Sequence, residues 1–149
     1  MALKKSQRID TLRKIAEWQE RDAGTIVSEC QRRLQMEQQQ LTDLQGYYRG
    51  YLNTIEQQKN LARTELINYR NFCQQLARTI EQGQQKVATL TQLLETRKNE
   101  WLVKRNKRRV LEELIQRCRD EESQWLEGEL QKELDDIWQS SQSRDRPFL

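Results

Sequence analysis

Apolar residues recur along this chain in alternating steps of three and four, the spacing that lines them up on one narrow stripe of an α-helix. In the first half the stripe reads Ile9, Leu12, Ala16, Gln19, Ala23, Ile26 and Cys30, then Leu34, Glu37, Leu41, Leu44, Tyr48, Tyr51 and Ile55. The two successive steps of four from Ile26 to Cys30 to Leu34 amount to a stutter, which is predicted to unwind a left-handed supercoil locally. In the second half Leu66, Tyr69, Cys73, Leu76, Ile80, Gly83, Val87, Leu90 and Leu94 keep step. Arg97, Trp101, Lys104, Arg108, Leu111, Ile115, Cys118, Glu122 and Trp125 continue the same seam. Thirteen of those eighteen positions are apolar, enough for one partner helix to cover and too few for a globular core. Composition points the same way. Of 149 residues 33% are charged and 35% hydrophobic, with five glycines and one proline to interrupt a helix.

The origin of the partner helix has three readings. The heptad phase slips between Ile55 and Leu66, where Asn53 and Asn60 suit a cap or turn and Thr64 with Glu65 suits a helix start. That favours a hairpin: helix 1 over about 3–55, a turn over about 56–64 and helix 2 over about 65–138. Gly46 and Gly50 offer a rival break, and an unbroken helix pairing between chains is the third reading. The expected fold class is therefore all-α, a long antiparallel two-helix coiled coil forming one domain over 1–140. The tail from Ser140, with the single proline, is expected to be disordered. At 1.5 Å per residue the second helix outruns the first by roughly 30 Å. That overhang carries Trp125, Leu126, Leu130, Leu134, Ile137 and Trp138, an apolar stripe calling for a partner.

Several function classes fall away. There is no histidine, hence no Ser-His or Cys-His nucleophile pair and no imidazole base. No glycine pattern cradles a phosphate. A narrow helical pair has no cleft in which to split the pKa values of two carboxylates, so no catalysis, cofactor or metal site is expected. Cys30, Cys73 and Cys118 form no CxxC and fall on the seam, which predicts buried free thiols. No apolar run approaches the length of a membrane span.

Charge is segregated. Residues 1–111 carry a net +9 and residues 112–136 a net −7. The sharpest basic run contains Lys104, Arg105, Lys107, Arg108 and Arg109. Lacking interleaved aromatics, it suits a carboxylate-rich protein surface better than nucleic acid. Lys104 and Arg108 fall on the seam, where two like charges weaken the local core and make the run a candidate partner-facing patch. Aromatics gather elsewhere: Tyr47, Tyr48 and Tyr51 precede the proposed turn and Phe72 follows it. A turn near residue 60 would set Tyr48 against Phe72, a cluster of the kind that anchors interfaces.

The segments YRGYLNT (Tyr48–Thr54) and INYRNFCQQLARTIEQ (Ile67–Gln82), with Trp101 ahead of a Lys/Arg run, resemble the flagellar export protein FliJ family. The likeness covers most of the chain and is most specific over 44–82. It implies an antiparallel coiled coil similar to the gamma-subunit stalk of F-type ATPases. It also implies a cytoplasmic component of flagellar type III export, peripheral to the inner face of the cell membrane, serving flagellum biogenesis and motility. The implied partners are the hexameric export ATPase FliI, the cytoplasmic region of the gate protein FlhA, and export chaperones. Matching the family's gate-contacting positions gives Glu37, Leu41, Leu44, Tyr48, Phe72, Leu76, Thr79 and Gly83. Of these, Glu37, Leu44, Thr79 and Gly83 depart from the glutamine, tyrosine, alanine and histidine that the family leads one to expect. The overhang residues Trp125, Leu126, Leu130, Leu134 and Trp138 become the candidate contact with the ATPase ring. A stalk of a virulence-type secretion system and a self-associating coiled-coil scaffold are the alternatives.

Overall fold

A computed structural model describes residues 4–58 and 60–144. They form two helices, α1 (Lys5–Gln57) and α2 (Arg63–Arg144), packed antiparallel as a hairpin coiled coil. The connection between them is shorter than the spacing implies, and Gly46 and Gly50 lie inside α1 without a break. Helix α2 also runs on past residue 138. Residues 140–144, expected to be disordered, are its last turn, because glutamine and serine tolerate a helix and no breaker precedes Pro147. Residues 145–149 of the expected tail lie outside the described residues.

The chain divides into two compact units, Met1–Glu20 with Lys104–Leu149, and Arg21–Val103. In the first, Ile9 packs with Ile115 and Cys118, and Leu111 closes the cluster. The N-terminus of α1 has no acidic residue in its first turn. Glu122 of α2 supplies the missing charge: one carboxylate oxygen accepts the Ser6 amide at 3.2 Å, the other the Ser6 hydroxyl at 2.8 Å. A carboxylate there satisfies free N–H groups and complements the helix dipole.

In the second unit Leu34, Leu90 and Leu94 form the core, flanked by Val27, Cys30, Val87 and Leu93. Trp101 covers Gly24, its ring nitrogen 3.4 Å from where a Cβ would stand. Nearer the turn, Leu41 lies against Gly83 and Glu37 pairs with Lys86 at 3.7 Å.

From Tyr69 to Glu122 the α2 seam follows the apolar spacing, while Leu66 and Trp125 at its ends are exposed, at 38% and 68%. The N-terminal part of α1 departs from the spacing. Leu12 and Ile26 are exposed, at 55% and 38%. The covered positions include Ile9, Arg13, Ala16 and Glu20 in the first unit, with Asp10, Glu17 and Gln19 half-buried beside them, and Ala23, Val27, Cys30 and Leu34 in the second. Each set steps by four and three, so the expected stutter is absent. Charge pairing moves the seam: Arg13 is held by Asp10 at 2.9 Å and Glu17 at 2.6 Å, and Glu20 is held by Arg108. A paired ion occupies a seam position that an apolar pattern assigns to its neighbour.

Candidate functional site

Three surfaces carry the residues singled out by sequence. The first lies along the hairpin in the unit Arg21–Val103. Glu37, Leu41, Leu44, Thr79 and Gly83 line one groove of about 350 Å³ together with Gln40, Gln82 and Lys86. The absence of a side chain at Gly83 opens this groove, since a Cβ there would stand 3.2 Å from Leu41 Cδ1. Thr79 folds back on its own helix, its hydroxyl donating to the Gln75 carbonyl at 3.0 Å. Tyr48 and Leu76 are half-buried seam residues. Phe72 is 45% exposed.

Phe72 does not pair with Tyr48. Its ring partner is Tyr51, with centroids 4.8 Å apart and planes at 64°, an edge-to-face contact. Tyr48 and Tyr51 both fit the seam spacing, and Tyr51 stands one helical turn closer to the connection. The two rings join Tyr69, Glu65 and Asn68 around a second hollow of about 400 Å³. Apolar spacing places Tyr51 and Tyr69 on the seam but passes over Glu65 and Asn68, since Glu65 reads only as a helix-start residue.

The second surface is the basic run. Arg108 is drawn into the fold: its guanidinium donates to both oxygens of Glu20 on α1 and to Glu112 one turn along α2. The expected like-charge weakness of the core is thus answered from the other helix at Arg108, and this residue is no partner-facing cation. Its ion pairs raise its pKa, the Glu20 hydrogen bond foremost. Lys107 and Arg109 are exposed, Lys104 and Arg105 partly covered. A seam arginine calls for a carboxylate opposite, and that signal identifies Glu20.

The third surface is α2 beyond Glu122. Trp125, Leu126, Leu130, Leu134, Ile137 and Trp138 are all more than half exposed. Glu122 meets Ser6 at the start of α1, and Lys4, just before that helix, lines a hollow with Trp125 and Leu126.

The family model "Flagellar FliJ protein" matches residues 5–146, nearly the whole of both helices. The chain belongs to the FliJ family. It is accordingly a component of the flagellar export apparatus. Among FliJ relatives, the Flagellar FliJ protein of Salmonella typhi is 31% identical over 102 residues, 66% of this chain and 69% of the relative. The Flagellar FliJ protein of Escherichia coli strain K12 is 30% identical over 110 residues, 72% of this chain and 74% of the relative. No solved structure matches the chain. No helix among the described residues of this FliJ chain is long and apolar enough to cross a membrane.

Proposed function

We propose that this FliJ-family chain is the stalk of the export ATPase ring, linking the ring to the export gate and escorting substrate chaperones without catalysing a reaction itself. The observation that carries this reading is the stripe of α2 beyond Glu122, where six large apolar side chains, two of them tryptophan, are each more than half exposed. A continuous helix that is braced in one stretch and bare in the next suits insertion into a ring of subunits. Trp125, Leu126, Leu130, Leu134 and Trp138 would contact the hexameric ATPase FliI, in the cytoplasm beneath the membrane. Leu41, Leu44, Tyr48, Phe72 and Leu76, edged by Glu37, Thr79 and Gly83, would meet the cytoplasmic region of the gate protein FlhA. The groove between Leu41 and Gly83 and the half-exposed Phe72 support that assignment. Exposed Lys107 and Arg109, in the run that also holds Lys104 and Arg105, form a basic surface suited to an acidic partner such as a chaperone.

Two variants in two assays test the reading. Tyr48→Ala is expected to weaken binding to the FlhA cytoplasmic region by about 1–3 kcal/mol, the range for an aromatic anchor, and to spare stimulation of the ATPase. Truncation before Trp125 is expected to abolish stimulation and keep gate binding. If Tyr48→Ala lost stimulation and the truncation lost gate binding, the assignment of the two surfaces would be reversed. If neither variant lost either activity, the stalk function would be wrong.

A further inference from the structure

We infer that the hollow beside the hairpin connection is a receptor for an arginine side chain of a protein partner. It is lined by Tyr51, Tyr69 and Phe72, with Glu65 and Asn68 on its polar side, and encloses about 400 Å³. That volume holds a guanidinium with its methylene stem. Tyr51 and Phe72 meet edge to face at 4.8 Å, and both remain more than a third exposed, so aromatic surface is open to solvent beside the hollow. Aromatic faces attract a cation through the ring quadrupole.

Glu65 decides the charge of the occupant. Its carboxylate is exposed and has no ion-pair or hydrogen-bond partner among the described residues. Among the described residues no basic side chain lines the hollow with it. An apolar side chain entering here would strip water from that carboxylate without replacing its hydrogen bonds, a penalty that selects against it. A cation removes the penalty. Arginine fits better than lysine, because a planar guanidinium stacks on a ring and forks onto a carboxylate at once, whereas an ammonium is a compact, strongly hydrated point charge. The Asn68 side chain adds an amide oxygen able to accept a further N–H.

The hollow shares Phe72 with the proposed gate surface, yet the inference stands apart from that reading and is tested without the gate protein. The full chain, with its tyrosine and phenylalanine rings isotopically labelled, is titrated with N-acetyl-arginine amide and, separately, with N-acetyl-citrulline amide, the uncharged isostere. The arginine derivative is expected to shift the Tyr51, Tyr69 and Phe72 ring resonances saturably, leaving Tyr47 and Tyr48 unmoved. Citrulline is expected to bind at least threefold more weakly, in line with a solvent-exposed cation–π contact. Glu65→Gln should weaken arginine binding about two- to fivefold. Tyr69→Leu, which keeps apolar bulk, should weaken it as well, with helix content unchanged by circular dichroism. Equal shifts from citrulline, saturation indifferent to Glu65→Gln, or no saturable shift would each overturn the inference. A protein that passes this test and still fails to bind FlhA would count against the gate assignment alone.

Discussion

Replacing the glycines of α1 and α2 with alanine turns the geometry of this hairpin into a graded stability series. Gly46 and Gly50 lie within α1, none of the described glycines has a positive φ, and a Cβ at either would meet nothing within 4 Å. Alanine is better than glycine in a helix interior by about 0.8–1.0 kcal/mol, since it loses less backbone freedom on folding. Each substitution should therefore stabilise the fold by about 1 kcal/mol and the pair by about 2. Unfolding a chain of 149 residues releases an entropy of about 0.3 kcal/mol/K, so the double variant should melt about 6 °C higher. Gly24 should behave as Gly46 does, because its Cβ would make an ordinary contact with Trp101 at 3.4 and 3.6 Å. Gly83 should gain little: a Cβ there would stand 3.2 Å from Leu41 Cδ1, and the leucine must rotate to admit it. Melting followed by far-ultraviolet circular dichroism ranks the four. A lower melting temperature for the Gly46 and Gly50 double variant would refute an unbroken α1 and favour a bend at those glycines. A full gain at Gly83 would refute the close packing of Leu41 there.

Two further outcomes follow from the same coordinates. The Ser6 hydroxyl and then its amide hold the Glu122 pKa below the ordinary glutamate value, against the opposing effect of burial. Its contribution to stability is thus complete above that ordinary value and fades as pH falls through the depressed one; the gap in denaturation midpoint between the wild type and Glu122→Gln, present at neutral pH, should close in acid, and a constant gap would refute this. Cys73 and Cys118 are buried and Cys30 only half covered, so a thiol reagent followed by peptide mapping should modify Cys30 first; equally rapid reaction of all three would contradict the packing.

How far the fold was legible in the sequence depends on what each seam position holds. Along α2 the covered positions are mostly Leu, Ile, Val, Cys and Trp, and counting apolar residues recovers them. Along the start of α1 Ala16 and Ala23 are small, and Leu12 and Ile15 stand among charged neighbours. Three-and-four counting there drifts onto the exposed Leu12 and Ile26 and creates a stutter that the protein does not have. Arg13 and Glu20 occupy the covered positions because their charges are neutralised, by Asp10 and Glu17 along the helix and by Arg108 across it. No hydropathy pattern registers such a pairing. The candidate gate residues were legible only through resemblance. Their division between a groove at Leu41 and Gly83 and a hollow at Phe72 depends on which side chain is missing at one position and which ring turns at another.

Helix α2 is longer than α1 and outruns it whatever the pairing; the Glu20–Arg108 layer bears on where along α2 the bare stretch begins. A heptad seam of interchangeable leucines permits neighbouring registers of similar stability, and one polar pair on the seam is a recognised way to choose among them. Slipping the helices by one heptad would set Arg108 opposite the seam position of Arg13 in one direction and of Val27 in the other. The first places two guanidinium groups together; the second leaves one facing a valine, with only Glu112 of its own helix to answer it. Of these registers only the observed one sets a carboxylate across from Arg108, and it also brings Glu122 to Ser6. The N-terminus of α1 is then capped at that point along α2. Trp125 and the apolar residues after it follow that point along α2 and are more than half exposed, so the charge pairing that aligns the hairpin marks where the overhang set by helix length begins.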